Sequence, residues 1–307
     1  MDVQPLLAHL FPGKETPHAR IRTGKHNESY FVTVDSTEYV LRIAPPADTP
    51  VLFYERGMMR REPAIHELVT AHTRAPVARI LEHDFTGSVI PNDWMLMERL
   101  PGAPISDSPL GGAAAHAMFY ELGRALREVH EITNSWHGYP RGSDTGPEKP
   151  RWLDAFTDMW DRLLDDVVST EIYTADDKEW LIGLLRNHES SFGHDPLPSL
   201  LHMDVWSQNI LSGPRGKLLG IVDWDRGLWG DPEIEFSVLE YCGMDTDAFW
   251  KGYGGTPERS DDYQVRRVFY LLYEHQKYIF IRAMRGGDIA SARRYAQQSL
   301  GMARELT

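Results

Sequence analysis

His202-Met203-Asp204-Val205-Trp206-Ser207-Gln208-Asn209, followed fourteen residues after Asn209 by Asp223 at the end of an apolar run, is the stretch that decides how this chain is read. Its residue types match what the transfer of a phosphoryl group demands. A phosphate donor carries dense negative charge and is handled through a hard cation such as Mg²⁺, for which the Asn209 amide and the Asp223 carboxylate offer oxygen ligands. Asp204 is left for the acceptor. A hydroxyl loses its proton as it attacks, and a carboxylate five residues before the metal-binding amide can take that proton within one loop.

Working outward, residues 199–201, 210–211 and 218–222 read as short strands, the last two joined by a Gly213-Pro214-Arg215-Gly216 turn. Such a hairpin brings Asn209 and Asp223 together. Protein kinases carry a His-Arg-Asp loop with an Asn five residues after its Asp, then Asp-Phe-Gly. Here Met203 and Trp224-Asp225 stand in the diagnostic places, and no Ala-Pro-Glu follows. The chain is therefore not read as an ordinary protein kinase.

The order His202, Asp204, Asn209, then Ile221-Val222-Asp223-Trp224 and Gly230-Asp231-Pro232 resembles the aminoglycoside phosphotransferase and choline kinase superfamily, over nearly the whole chain. The loops of that superfamily read approximately His-Gly-Asp, then Ile-Asp-Trp and Gly-Asp-Pro. Trp206-Ser207 adds a local similarity to the fructosamine kinase branch. The resemblance implies an α+β, bilobal protein-kinase-like fold with a small strand-rich N-lobe and a larger, mostly helical C-lobe. It also implies a phosphotransferase that uses ATP or GTP with Mg²⁺. His202 would organise the loop by packing and hydrogen bonding, with proton acceptance left to Asp204.

Composition fits a globular chain. At 307 residues with 42% hydrophobic content it can bury a large core, and no window reaches the length of a membrane span. The start, Met1-Asp2-Val3-Gln4, lacks a secretory pattern, and the one cysteine, Cys242, excludes an internal disulfide, so a cytoplasmic location is expected. A net charge of -13 argues against a nucleic-acid partner. Residues 1–100 hold 11 Lys plus Arg against 13 Asp plus Glu, so the remaining residues hold 21 against 32 and carry most of the acidity. That asymmetry favours a cationic hydroxylated acceptor, such as an aminoglycoside-like antibiotic. A metabolic sugar, amine or amino-alcohol kinase and a non-catalytic nucleotide-binding module are the alternatives.

Two β-rich runs, residues 30–34 and 38–43, flank a turn at Asp35-Ser36-Thr37, and residues 57–71 read as a helix. Residues 88–100 contain a further pair of strand-like runs split by Pro91-Asn92-Asp93. Pro101-Gly102-Ala103-Pro104 then breaks the chain, dividing an N-lobe (1–98), a hinge (99–104) and a C-lobe (105–307). Helical spacing marks residues 113–132, 152–168, 175–189 and 265–284.

On the nucleotide side, residues 24–30 resemble the Gly-x-x-Asn-x-x-Tyr run of the superfamily, making Gly24, Asn27 and Ser29 candidates for a phosphate loop. Arg42 stands where protein kinases place a strand Lys, and its planar fork can bridge phosphate oxygens. Glu62 is its natural partner and Glu67 the alternative, with Pro63 implying a helix start close by. Met97, Glu98 and Leu100 lie where a hinge strand meets a purine. Asp225 faces either the acceptor or solvent, and Trp206 also belongs to the acceptor side. Asp154, Asp158, Asp161 and Asp165 share one helix face, read either as a solvated surface or as a wall for a cationic acceptor. The spacing of His188, His194 and His202 makes no compact metal motif. Asp231 suits a helix N-cap.

Overall fold

The computed structural model describes residues 2–23, 26–140 and 148–307. Helix α1 (Gln4–Leu10) precedes β1 (His18–Ile21), β2 (Glu28–Val34) and β3 (Thr37–Ile43); α2 (Met58–His72), β4 (Ile80–Asp84) and β5 (Trp94–Glu98) follow. The five strands form one antiparallel sheet in the order β1-β2-β3-β5-β4. The β2–β3 hairpin turns on Asp35 and Ser36, with φ of 47° and 69°, the positive pair that matches the natural twist of a two-residue hairpin. Tyr30, Val32 and Val34 alternate inward and pack with Leu6, Leu7 and Trp94. Sequence patterning alone leaves α1 unassigned, because its seven residues are too few for a periodic signal.

Two local expectations are corrected. The outer partner of β5, opposite β3, is β4 at Ile80–Asp84 rather than a strand near residues 88–90. Asp84 accepts hydrogen bonds from the backbone N–H and hydroxyl groups of Thr86 and Ser88 and turns the chain there. Helix α2 starts at Met58, so Pro63 lies inside it; the proline removes one backbone bond while Ile65, His66 and Val69 remain buried.

The second lobe comprises β6 (Ala103–Pro104), α3 (Gly112–His130), α4 (Trp152–Val168), α5 (Ala175–Asn187), β7 (Ser199–Leu201), β8 (Ile210–Ser212), β9 (Leu218–Ile221), β10 (Leu228–Gly230), α6 (Pro232–Tyr241), α7 (Asp247–Tyr253), α8 (Asp261–Phe280) and α9 (Ile289–Arg304). Helix α4 buries Trp152, Phe156 and Trp160 against Phe269, Tyr270 and Tyr273 of α8, each such side chain contributing about 1.5–3 kcal/mol. Strands β8 and β9 pair with Ile210 opposite Ile221, and the Val222 N–H donates to the Asn209 carbonyl at 2.9 Å. Asn209 and Asp223 are thereby set side by side. The hairpin docks closely on α3: Gly216 has φ 76°, and a Cβ there would fall 1.9 Å from the Ala114 carbonyl oxygen. Strand β6 pairs with β8 and joins the connecting segment to the same hairpin.

Candidate active site

The loop between β7 and β8 is fixed from below by a carboxylate. Glu235 of α6, fully buried, accepts the backbone N–H groups of His202, at 3.2 Å, and Met203, and lies 2.7 Å from His130 Nε2. Met203 adopts φ 64°, which is costly for a side chain with a Cβ. Its side chain is entirely buried in the main core, and that gain of about 1.5–3 kcal/mol exceeds the roughly 1–2 kcal/mol of strain. The His202 ring, also buried, accepts from the Asp204 N–H at Nδ1 (3.1 Å) and donates from Nε2 to the Val222 carbonyl (3.0 Å). It links the loop to the strand that presents Asp223.

Asp204 is held at both oxygens. Asn209 Nδ2 donates to Oδ2 at 2.8 Å, Arg226 donates to Oδ1 at 3.1 Å, and Lys277 Nζ lies 4.0 Å from Oδ1. Burial alone would raise this carboxyl, but Arg226 and Lys277 outweigh it and keep the group below the usual carboxylate range. Arg226 and Lys277 are themselves anchored by buried Glu274, and the Arg226 guanidinium lies over the Tyr54 ring at 5.2 Å. The result is an ionised carboxylate with a fixed direction, 24% exposed and lining a cleft.

Across the cleft, Arg42 is buried and gathers three carboxylates. It donates to both Glu62 oxygens (2.6 and 2.7 Å), to Asp223 (2.5 Å) and to Asp225 (2.8 Å). Glu67 is exposed, which removes it as the alternative partner. Despite burial, Arg42 and His66 pull Glu62 down to about 2, whereas burial and the neighbouring Asp223 push Asp225 well above its ordinary value. One guanidinium against three carboxyl groups leaves excess negative charge, which suits a hard cation. Asp223, whose side chain keeps 41% exposure, and Asn209 beside it are the residues that would hold Mg²⁺. Asn27 donates to Asp225 at 3.1 Å, and burial draws the neighbouring His26 down to about 4.

Arg42, Asp204, Asn209, Asp223, Asp225, Arg226 and Lys277 line one cleft of about 790 Å³ between the lobes. Ser29, Met97, Glu98, Leu100 and Trp206 line it too, so the expected nucleotide side and loop share a cavity. Gly24 lies outside the described residues.

A family model described as "Phosphotransferase enzyme family" matches residues 18–295. The chain belongs to that family. A protein named probable ketoamine kinase from Klebsiella aerogenes is 26% identical over 280 residues, covering 87% of this chain and 84% of its own. A further relative of that name, from Synechocystis, is matched over 56% of its length. In structure, the chain is similar to a candidate fructosamine-3-kinase from Haemophilus somnus (TM-score 0.71, 15% identity, 97% of this chain and 96% of that one). It is also similar to aminoglycoside phosphotransferase APH(4)-Ia solved with AMP-PNP and hygromycin B (TM-score 0.68, 17% identity, 99% and 98%). These likenesses show the protein-kinase-like, bilobal α+β fold. Among the described residues no helix is long and apolar enough to cross a membrane.

Two acceptor-side expectations place differently in this phosphotransferase. Asp225 is 3% exposed, bound by Arg42 and Asn27, and lines the cleft, so of its two expected directions the one toward solvent is excluded. Asp158 is bound by Arg162 at 2.8 Å and lies 4.0 Å from Lys149, while Asp154 pairs with Arg151 and both Asp161 and Asp165 pair with Lys178. None of those four lines the cleft. They mark a solvated face whose charges are met locally. Conversely, sequence reading passes over Arg226, Glu235, Glu274 and Lys277. Only Arg226, three residues after Asp223, carries a signal in the sequence; the others sit within helical patterns that disclose no partner. Asp231 does cap α6, accepting from the Glu233 N–H, and also binds Tyr270 and His194.

Proposed function

We propose that this enzyme is an ATP-dependent small-molecule O-kinase whose acceptor is a hydroxylated amine of the ketoamine class. Residues 99–104 act as the hinge between a nucleotide lobe (1–98) and a catalytic lobe (105–307). Asp204 accepts the acceptor's hydroxyl proton, the oxygen attacks the γ-phosphorus, and the bond to the β–γ bridging oxygen breaks to release ADP. Asn209 and Asp223 would hold Mg²⁺, which when bound would supply charge neutralisation for the triphosphate. Asn27, Ser29 and Arg42 serve the phosphates, and Met97, Glu98 and Leu100 face the base. The carrying observation is the Asp204 carboxylate held at one oxygen by Asn209 and at the other by Arg226.

The acceptor assignment draws on charge. The cleft is lined by seven Arg and Lys side chains, Arg226 and Lys277 beside Asp204 among them, against seven Asp and Glu side chains, a wall with no surplus of carboxylates to collect a polycation. A sugar derivative bearing a single amine fits that wall, and relatives of this chain are named ketoamine kinases. The hygromycin B complex of a structural neighbour supports a second reading, an aminoglycoside-type acceptor. Incubation with ATP and Mg²⁺ over ketoamines, aminoglycosides and neutral sugars, read by product mass, decides between them. A gain of one phosphate on a ketoamine supports the first reading, and a gain on aminoglycosides alone replaces it with the second.

A further inference from the structure

Beyond Asp204 and Lys277, the acceptor end of the cleft is walled by tyrosines that stack in series. Tyr241, the last residue of α6, stacks on Tyr278 of α8 with ring centroids 5.9 Å apart and planes at 27°; Tyr278 stacks in turn on Tyr295 of α9 at 5.2 Å and 27°. Tyr241 and Tyr278 line the catalytic cleft. Tyr241 and Tyr295 line a second, open groove of about 610 Å³, together with His275, Gln298, Met302 and Glu305. Tyr241 is therefore common to both cavities.

Packing of three helices accounts for part of this arrangement, since Tyr241 and Tyr295 both meet the His275 ring and Tyr295 packs against the main core, but it leaves Tyr241 open. Tyrosines that serve packing here are closed off: Tyr270 and Tyr273 are at most 1% exposed, and their hydroxyls are taken by Asp231 and Trp152 in one case and by Tyr139 in the other. Tyr241, although its hydroxyl meets that of Tyr295, instead keeps 37% exposure, and the Lys277 ammonium, which also lines the cleft, lies 5.0 Å from the Tyr278 ring centroid. A partly exposed aromatic row that begins beside the reacting carboxylate offers a flat face to whatever extends from the acceptor.

We infer that Tyr241, Tyr278 and Tyr295 form an acceptor-extension subsite that binds a flat ring, aromatic or pyranose, carried on the part of the acceptor remote from the phosphorylated hydroxyl. The inference deepens the ketoamine-kinase reading and rests on it for the identity of the reacting end. Stacking of this kind binds ground state and transition state alike, so it acts on KM rather than kcat.

The test compares 1-deoxyfructosyl-glycine, 1-deoxyfructosyl-phenylalanine and 1-deoxymaltulosyl-glycine as acceptors for the wild type, Tyr241→Phe, Tyr241→Leu and Tyr295→Leu. Wild type and Tyr241→Phe are expected to show a KM about two- to tenfold lower for a ring-bearing ketoamine than for the glycine compound, and the ratio is expected to fall to about one in both leucine variants. Preference for the phenylalanine compound alone identifies an aromatic extension, and preference for the maltulosyl compound alone identifies a sugar. Equal KM values in the wild type, or a preference that survives both leucine substitutions, overturn the subsite. If none of the three is phosphorylated, the ketoamine reading falls, and calorimetric titration of the same compounds without nucleotide decides the subsite. Ring-dependent affinity lost in Tyr241→Leu sustains it, and affinity indifferent to the ring overturns it.

Discussion

Two sets of carboxylates in this molecule look alike in composition and behave in opposite ways. On α4, Asp154, Asp158, Asp161 and Asp165 stand at helical spacing near the surface, each met by a neighbouring Arg or Lys. In the cleft, Glu62, Asp223 and Asp225 converge on Arg42, while Asp204 and Glu274 converge on Arg226 and Lys277, and most of these groups are buried. Exposed pairs are screened by water and contribute about 0–1 kcal/mol. Buried charges hold one another in place, because losing a partner leaves an ion without solvent. Net charge counts both sets equally, and so it does not locate the site.

Replacing members of each set breaks or sharpens this contrast. The largest effect is expected from Asp223→Ala, which should abolish Mg²⁺-dependent nucleotide binding and turnover, with Asn209→Ala weakening both. Titration of Mg²⁺ against bound nucleotide checks it, and an unaltered metal dependence in both variants would remove them from the metal site. Asp204→Asn should lower kcat about 10²- to 10⁴-fold with nucleotide affinity retained; near-normal turnover of an established acceptor would take the base role from Asp204.

Arg42→Met should destabilise the fold by about 3–5 kcal/mol, since Glu62 loses its cation in a fully buried position. Urea unfolding measures this, and a loss below about 1 kcal/mol would place Arg42 with the exposed pairs instead.

Asp166 lies between the two classes. Burial pushes its carboxyl up to about 6, although it accepts the Phe53 N–H at 2.7 Å. The folded chain therefore keeps a proton there that the unfolded chain releases, so this stabilisation is complete below about pH 4 and is lost as pH rises through about 6. Asp166→Asn keeps an acceptor for Phe53 and should raise the melting temperature at pH 7 by about 2–4 °C, with the gain vanishing near pH 4. A gain that does not depend on pH would refute this account. The smallest effect is assigned to the double variant Asp154→Asn, Asp158→Asn: stability within about 1 kcal/mol and acceptor KM unchanged. A severalfold rise in KM that fades with salt would return the α4 face to the acceptor site.

The sequence by itself determined that Asp204, Asn209 and Asp223 come together, because they lie on one loop and hairpin whose local geometry follows from spacing and turn residues. It determined the helices read at residues 152–168 and 175–189 for a similar reason, since an amphipathic period is a local property, although the second ends at Asn187. Only the tertiary structure decided what each charge faces. The cationic partners of Asp204 come from residues 22 and 73 positions away, and the partners of Asp225 from 183 and 198 positions away. Burial, which separates a functional carboxylate from a solvated one, is set by how the lobes close around the cleft. Helix α4 carries its acidic face into water because its opposite face holds Trp152, Phe156 and Trp160, which the core must enclose.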